Sequence, residues 1–266
     1  MRTRYVKSPE EIRQLQDIYH DPAFLSARSL SIAFESDPDV VSELLPPPLR
    51  PAAEPRVSVS VGHIGRSNCV GPFGSSSVNI ACSFEGQEGW YCLTMPMGTD
   101  TAVTFGRELY AEPKKLAEIA LEFDGRFARG TVTRHGVTYI ELRGVFEEPL
   151  QVVDRPNVSQ HYYFKFLPAA DGRGLAHDPQ LVRVTHRGTT FRAARGEGTI
   201  TFRESAHDPV IDVPVVTVTG AAFSEGETHT SAEVVATIPA AEFLPWAYGK
   251  ADNLTVWAEA GLLASA

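Results

Sequence analysis

Val57-Ser58-Val59-Ser60-Val61 sets a branched apolar residue against serine at every step. A period of two marks a strand with one apolar and one polar face, because successive side chains on a strand point to opposite sides. The alternation returns in Val78, Ile80, Cys82 and Phe84, set against Ser77, Asn79, Ala81 and Ser83. Glu85-Gly86 through Gly89 reads as a turn into a strand over 90–95. Further strands are expected over 127–134, 137–146, 162–167, 198–203, 213–219 and 232–238, with His135-Gly136 as a hairpin turn. Many short strands separated by turns predict a mainly β (α+β) protein built on an antiparallel sheet.

Helices are few. Ser8-Pro9-Glu10-Glu11 combines a capping serine, a proline at the first helical position and a glutamate that completes a capping box. Ile12, Leu15, Ile18 and Tyr19 then form a helical apolar stripe. Asp37-Pro38 starts a second helix by the same logic, running to Leu45, and Pro46-Pro47-Pro48 stops it. A last helix is expected over 240–248, interrupted by Pro245. No linker, repeat or low-complexity stretch divides the chain, so residues 1–266 read as one domain.

The composition excludes several classes. A net charge of −9 argues against a nucleic-acid surface and against binding an anionic membrane. No apolar run approaches the ~20 residues that span a bilayer. Met1-Arg2-Thr3-Arg4-Tyr5 leads into a polar segment rather than a signal peptide. Three cysteines without metal spacing fit reduced thiols and a cytoplasmic location. The eight histidines show no HExxH or paired spacing, so no metal site is expected. The glycines and serines of residues 71–77 lack the Gly-Lys-Ser/Thr ending of a phosphate loop. Arg183, His186, Arg187, Arg192 and Arg195 read either as a solvated surface or as a site for an acidic substrate tail.

The chemistry is carried by Gly106-Arg107-Glu108-Leu109-Tyr110-Ala111-Glu112-Pro113-Lys114-Lys115-Leu116. A lysine that attacks a carbonyl must be neutral, although free lysine titrates near pH ~10.4, so it needs burial or a neighbouring cation. Strand parity groups Lys115 with Ala117, Ile119, Leu121 and Phe123, which would turn Lys115 inward. A bulge or turn after Pro113 would reset that parity.

The run resembles the lysine motif of the acetoacetate decarboxylase superfamily, in which Gly-Arg-Glu leads into Pro-Lys-Lys-Leu. Weaker similarity covers most of residues 25–245, including Ile32 to Asp37, Leu44 to Leu49, Ser83 to Gly86, Arg155-Pro156-Asn157 and Lys165 to Pro168. The resemblance implies a closed, cone-like β-barrel with a central cavity, a few peripheral helices and homo-oligomeric assembly. It implies Lys114 as the Schiff-base nucleophile and Lys115 as the neighbouring cation, with no metal or organic cofactor. Tyr110, four residues before Lys114, takes the position of a polar pocket group. The two positions where acetoacetate-cleaving relatives carry acids fall on Ser60 and Ser75, and an expected arginine falls one place from Arg28. His63, just past the Val57–Val61 alternation, is a candidate cavity residue. The expected activity is therefore a lyase acting on a small 2-oxo or 3-oxo acid, with aldol/dehydration chemistry ahead of simple decarboxylation. The alternatives are a β-keto acid decarboxylase and a non-catalytic small-molecule-binding barrel.

Overall fold

The computed structural model describes residues 3–264. It is mainly β, with 53% of residues in strands and five α-helices among the described residues. In chain order the elements are α1 (Pro9–His20), β1 (Ala23–Glu35), α2 (Pro38–Leu44), β2 (Arg50–Pro51), β3 (Arg56–Ser67), β4 (Phe73–Phe84), β5 (Gln87–Met97), α3 (Asp100–Tyr110), β6 (Lys114–Leu116), β7 (Glu118–Phe123), β8 (Phe127–Arg134), β9 (Val137–Val145), β10 (Gln151–Lys165), β11 (Gln180–Phe202), β12 (Thr217–Thr237), α4 (Ala240–Gly249) and α5 (Leu254–Ala264). No described helix is long and apolar enough to cross a membrane.

Seven strands pair in the order β5-β4-β3-β1-β12-β11-β10, and β10 pairs back onto β5 through His161 opposite Trp90 and Tyr162 opposite Tyr91. The pairing thus closes into a ring, antiparallel at every step except β10 against β5. β11 then leaves the ring: Glu197–Phe202 pairs with β9 and leads the sheet β9-β8-β7 across its outside. The period of two sorts the side chains. Leu30, Ile32, Val57, Val59, Val61, Val78 and Ile80 are fully buried in one core cluster with Val132, Ile140 and Leu142 of the covering sheet and Phe146 just beyond it. The alternate residues, Ser29, Ser31, Ser58, Ser60, Ser77 and Asn79, line a cavity on the other face. β3 and β8 come so close that a Cβ at Gly130 would stand 2.7 Å from Val61, which explains the glycine there.

The expected helix starts are present. Ser8 and Glu11 form the capping box of α1, and Asp37 Oδ1 accepts from the backbone N–H groups of Asp39 and Val40 at α2. The apolar stripe of α1 is not buried, with Ile12, Leu15 and Tyr19 all exposed. Pro245 sits inside α4 without ending it. Several expected strands prove to be pieces of longer ones. Residues 162–165 are the end of β10, residues 198–202 the end of β11 and 232–237 the end of β12, while 166–167, 203 and 238 lie just outside these strands. Residues 213–216 precede β12 rather than forming its start. Both hairpin turns, Glu85-Gly86 and His135-Gly136, have positive φ at their two central residues, the twist that suits a two-residue connection.

Candidate active site

The lysine run is shaped by α3. Thr99 caps its start, and the helix ends at Tyr110 because Ala111 turns left-handed at φ 60°. The Ala111 N–H donates to Arg107 O and the Glu112 N–H to Gly106 O, closing the C-terminus. The chain then enters β6, which pairs in parallel with β5, Met95 opposite Lys114. Arg107 donates to the carbonyl of Lys114 at 3.0 Å, fixing the strand from the helix. A break at Ala117 separates β6 from β7, so the apolar parity of Ile119, Leu121 and Phe123 does not extend back to the lysines.

Lys114 and Glu112 lie two residues apart and share a face. Both are 6% exposed, and Lys114 Nζ stands 2.7 Å from Glu112 Oε2. A Cβ at Gly106 would overlap both the amine and the carboxylate, so this glycine is needed for the pair to pack against α3. The pair lines a cavity of about 520 Å3 inside the ring. Every ring strand contributes to its wall, including Ser29 of β1, Ser60 of β3, Ser75 of β4, Met95 of β5, His161 of β10, His186 of β11 and Thr228 of β12.

The wall mixes apolar side chains with polar groups that are mostly neutral. Ser60 Oγ and Ser77 Oγ are 3.0 Å apart, and the Asn79 amide donates to Ser77 Oγ at 2.8 Å. Asn79 Oδ1, Ser76 Oγ, His161 Nδ1 and the Tyr163 hydroxyl are buried without a hydrogen-bond partner among the described residues. Buried polar groups are normally satisfied, and these four belong to residues of the cavity wall. The rings of His161 and His186 meet edge-on at 4.9 Å, and His186 Nδ1 lies 3.0 Å from Thr230 Oγ1. Burial lowers the pKa of both, with His186 adding to the effect on His161. At His186 the carboxylate of Glu112 pulls upward and Lys114 downward. Both imidazoles are therefore neutral at pH 7.

The other expected site residues are placed as follows. Ser60 and Ser75 line the cavity with Lys114. Lys115 turns away. Its amine donates to His207 O and Asp208 Oδ1, each at 3.0 Å, and lies 3.4 Å from Asp252 Oδ1. Arg134 joins the same acids, 2.7 Å from Asp208 and 3.0 Å from Asp252. Tyr110 is buried beside Cys92 and Tyr163, its hydroxyl without a partner among the described residues, but it is not part of the cavity wall. Burial, then the charge of Glu112, raises its pKa. Arg28 borders the cavity, yet its guanidinium lies over Phe223 at 5.5 Å and 3.5 Å from Glu225. His63 is exposed and does not line the cavity. Sequence reasoning missed Glu112, whose signal was the two-residue spacing to Lys114. It also missed the cavity roles of His161 and Tyr163, and assigned His186 only to a basic cluster.

A mainly β chain that closes a ring around a polar cavity and places a buried lysine–glutamate pair in its wall defines a compact class of proteins. Residues 7–237 match the model of the family described as acetoacetate decarboxylase, and the chain belongs to that family. It is 28% identical over 199 residues to an acetoacetate decarboxylase of Burkholderia multivorans, covering 73% of this chain and 80% of the relative. The acetoacetate decarboxylase structure from Legionella pneumophila superposes with a TM-score of 0.73 at 21% identity, covering 81% of this chain and 87% of the other. The enduracididine biosynthesis enzyme MppR, solved in complex with pyruvate, superposes with a TM-score of 0.67 at 17% identity, covering 81% and 90%.

Proposed function

We propose that this protein is a Schiff-base-forming lyase in which Lys114 condenses with a small 2-oxo or 3-oxo acid. The observation that carries the reading is the Lys114–Glu112 pair, buried at 2.7 Å in the wall of a polar cavity. The ring is read as a cone-like barrel around that site. Glu112 is positioned to take the proton that the amine must lose before attack and to return it when the carbinolamine loses water. The resulting iminium is an electron sink, able to accept electrons from a C–H or a C–CO2 bond.

Chemistry through the enamine is placed ahead of simple decarboxylation. The neutral His161 and His186 face the same cavity and suit removal of a proton beside the imine carbon. The enamine then adds to an aldehyde, and water leaves. Ser60 and Ser75, neutral where acids were expected, supply hydrogen bonds rather than charge. Decarboxylation of a β-keto acid is the second reading, favoured by the names of the curated relatives and by the carboxylate that Glu112 brings into the cavity. A homo-oligomer belongs to the proposal, with the exposed apolar face of α1 as a surface to be covered.

The test is incubation with pyruvate or acetoacetate plus borohydride, followed by peptide mapping. A reduced adduct on Lys114 is expected, and no adduct with any oxo acid would leave a binding protein. Carbon dioxide release from acetoacetate, set against condensation of pyruvate with an aldehyde, separates the two chemistries.

A further inference from the structure

A second pocket, of about 390 Å3, uses the alternate residues of the same segment, Pro113 and Lys115 where the cavity takes Glu112 and Lys114. Its wall is apolar, with Leu44, Leu93, Val210, Val213 and Trp246. Lys250, at the C-cap of α4, lines it. Lys250 is 8% exposed, and its amine rests 4.5 Å from the centroid of the Tyr91 ring. Among the described residues no carboxylate forms an ion pair with this amine and no acceptor bonds it. The acids around the pocket are committed or exposed: Asp208 holds Lys115 and Arg134, while Glu43 and Asp212 face solvent.

Burial lowers the Lys250 pKa to about 8; Cys92 opposes the shift, and the charges of Lys115 and Arg107 reinforce it. A desolvated lysine with cations nearby and no counter-ion is a way to present a free amine near neutral pH. A second polar group faces the same pocket. Thr94 is 8% exposed, and its hydroxyl has no partner among the described residues.

We propose that Lys250 is a second carbonyl-reactive amine, and that its apolar pocket takes a small apolar aldehyde or ketone and holds it as an imine. The nitrogen lone pair adds to the carbonyl carbon, and the C–O π pair moves to oxygen, which gains the proton that nitrogen loses. The carbinolamine hydroxyl and the remaining N–H proton depart as water, leaving C=N with no change in oxidation state. Thr94 donates to the carbinolamine oxygen. This activity is independent of Lys114 and of the oxo-acid chemistry.

The test uses the full chain and its Lys114→Ala variant. Each is treated at pH 8 with butanal and cyanoborohydride, or with glyoxylate as a charged control, and mapped by peptide mass spectrometry. Exposed Lys7 is the internal reference. Butanal is expected to modify Lys250 at least about tenfold faster than Lys7, because burial lowers the Lys250 pKa to about 8 and leaves about half of it neutral at that pH. The Lys114→Ala change leaves that rate as it was, and glyoxylate does not favour Lys250. Thr94→Val, checked for an unchanged melting temperature, slows Lys250 labelling several-fold. Labelling of Lys250 no faster than Lys7 overturns the proposal, and equal preference for glyoxylate overturns the apolar assignment.

Discussion

Lys114 and Lys115 are consecutive, and β6 sends them into opposite surroundings. Lys114 enters a cavity of neutral hydroxyls, amides and imidazoles, with one carboxylate as its partner. Lys115 enters a lattice of fixed charge, two cations against Asp208 and Asp252, that ties β6, β8 and the segment after α4 together. The first setting leaves atoms unsatisfied, and the second leaves almost none. A saturated ion network holds a fold in one arrangement. The same residue type thus lines an open cavity on one face of a strand and joins an ion network on the other.

Exchanging the two roles is the severest challenge to this contrast. Lys114→Ala should abolish turnover and the borohydride adduct, whereas Lys115→Ala should keep the adduct on Lys114 and lower the melting temperature. An adduct that vanishes only with Lys115 would reverse the assignment. Glu112→Gln keeps the shape but removes the proton acceptor, and turnover should fall by roughly 10²–10⁴-fold, read by steady-state kinetics. On the ion-network side, Asp208→Ala removes the buried acid and leaves Lys115 and Arg134 sharing only the more exposed Asp252. It should cost about 3–5 kcal/mol in urea unfolding, with trapping at Lys114 preserved.

The smallest effect is one of pH. Because His161 and His186 have lowered pKa values in the folded state, the unfolded chain takes up protons first as pH falls below about 6.5. Stability is then fully present above that pH. It is lost on acidification at about 1.4 kcal/mol per pH unit for each histidine, until the lowered values are reached. Unfolding curves at pH 7 and 5.5 measure the loss. His161→Gln should flatten it, and an unchanged slope would mean that the imidazole is not shielded from water.

The sequence made half of the sheet legible. Strands that turn an apolar face into the core between the ring and the covering sheet, such as β3, β4, β8 and β9, alternate apolar and polar residues, and their positions follow from that. β11 and β12 carry threonine, glycine and charged residues over much of their length, arginine in β11 and glutamate in β12, because they border the cavity on one side and are largely exposed on the other. A pattern built on burial has nothing to detect there. α3 was missed although its Thr99 cap was present, since its few buried residues give only a short stripe. In the site, Lys114 was legible from the motif, while Glu112 was hidden because its approach to the amine depends on the left-handed Ala111 and on Gly106 having no side chain. The partnership of His161 with His186 comes from the register between β10 and β11, which no local reading supplies.

β1 is made near the start of the chain, yet one of its two edges waits for β12, at residues 217–237. Contacts of such separation are slow to form, because the intervening loop must be closed before they reward it. A nascent polypeptide halted before residue 217 therefore carries both Lys114 and Glu112 but has no enclosed space to put them in. The cavity is thus complete only when synthesis is, and an incomplete chain exposes both side chains to solvent.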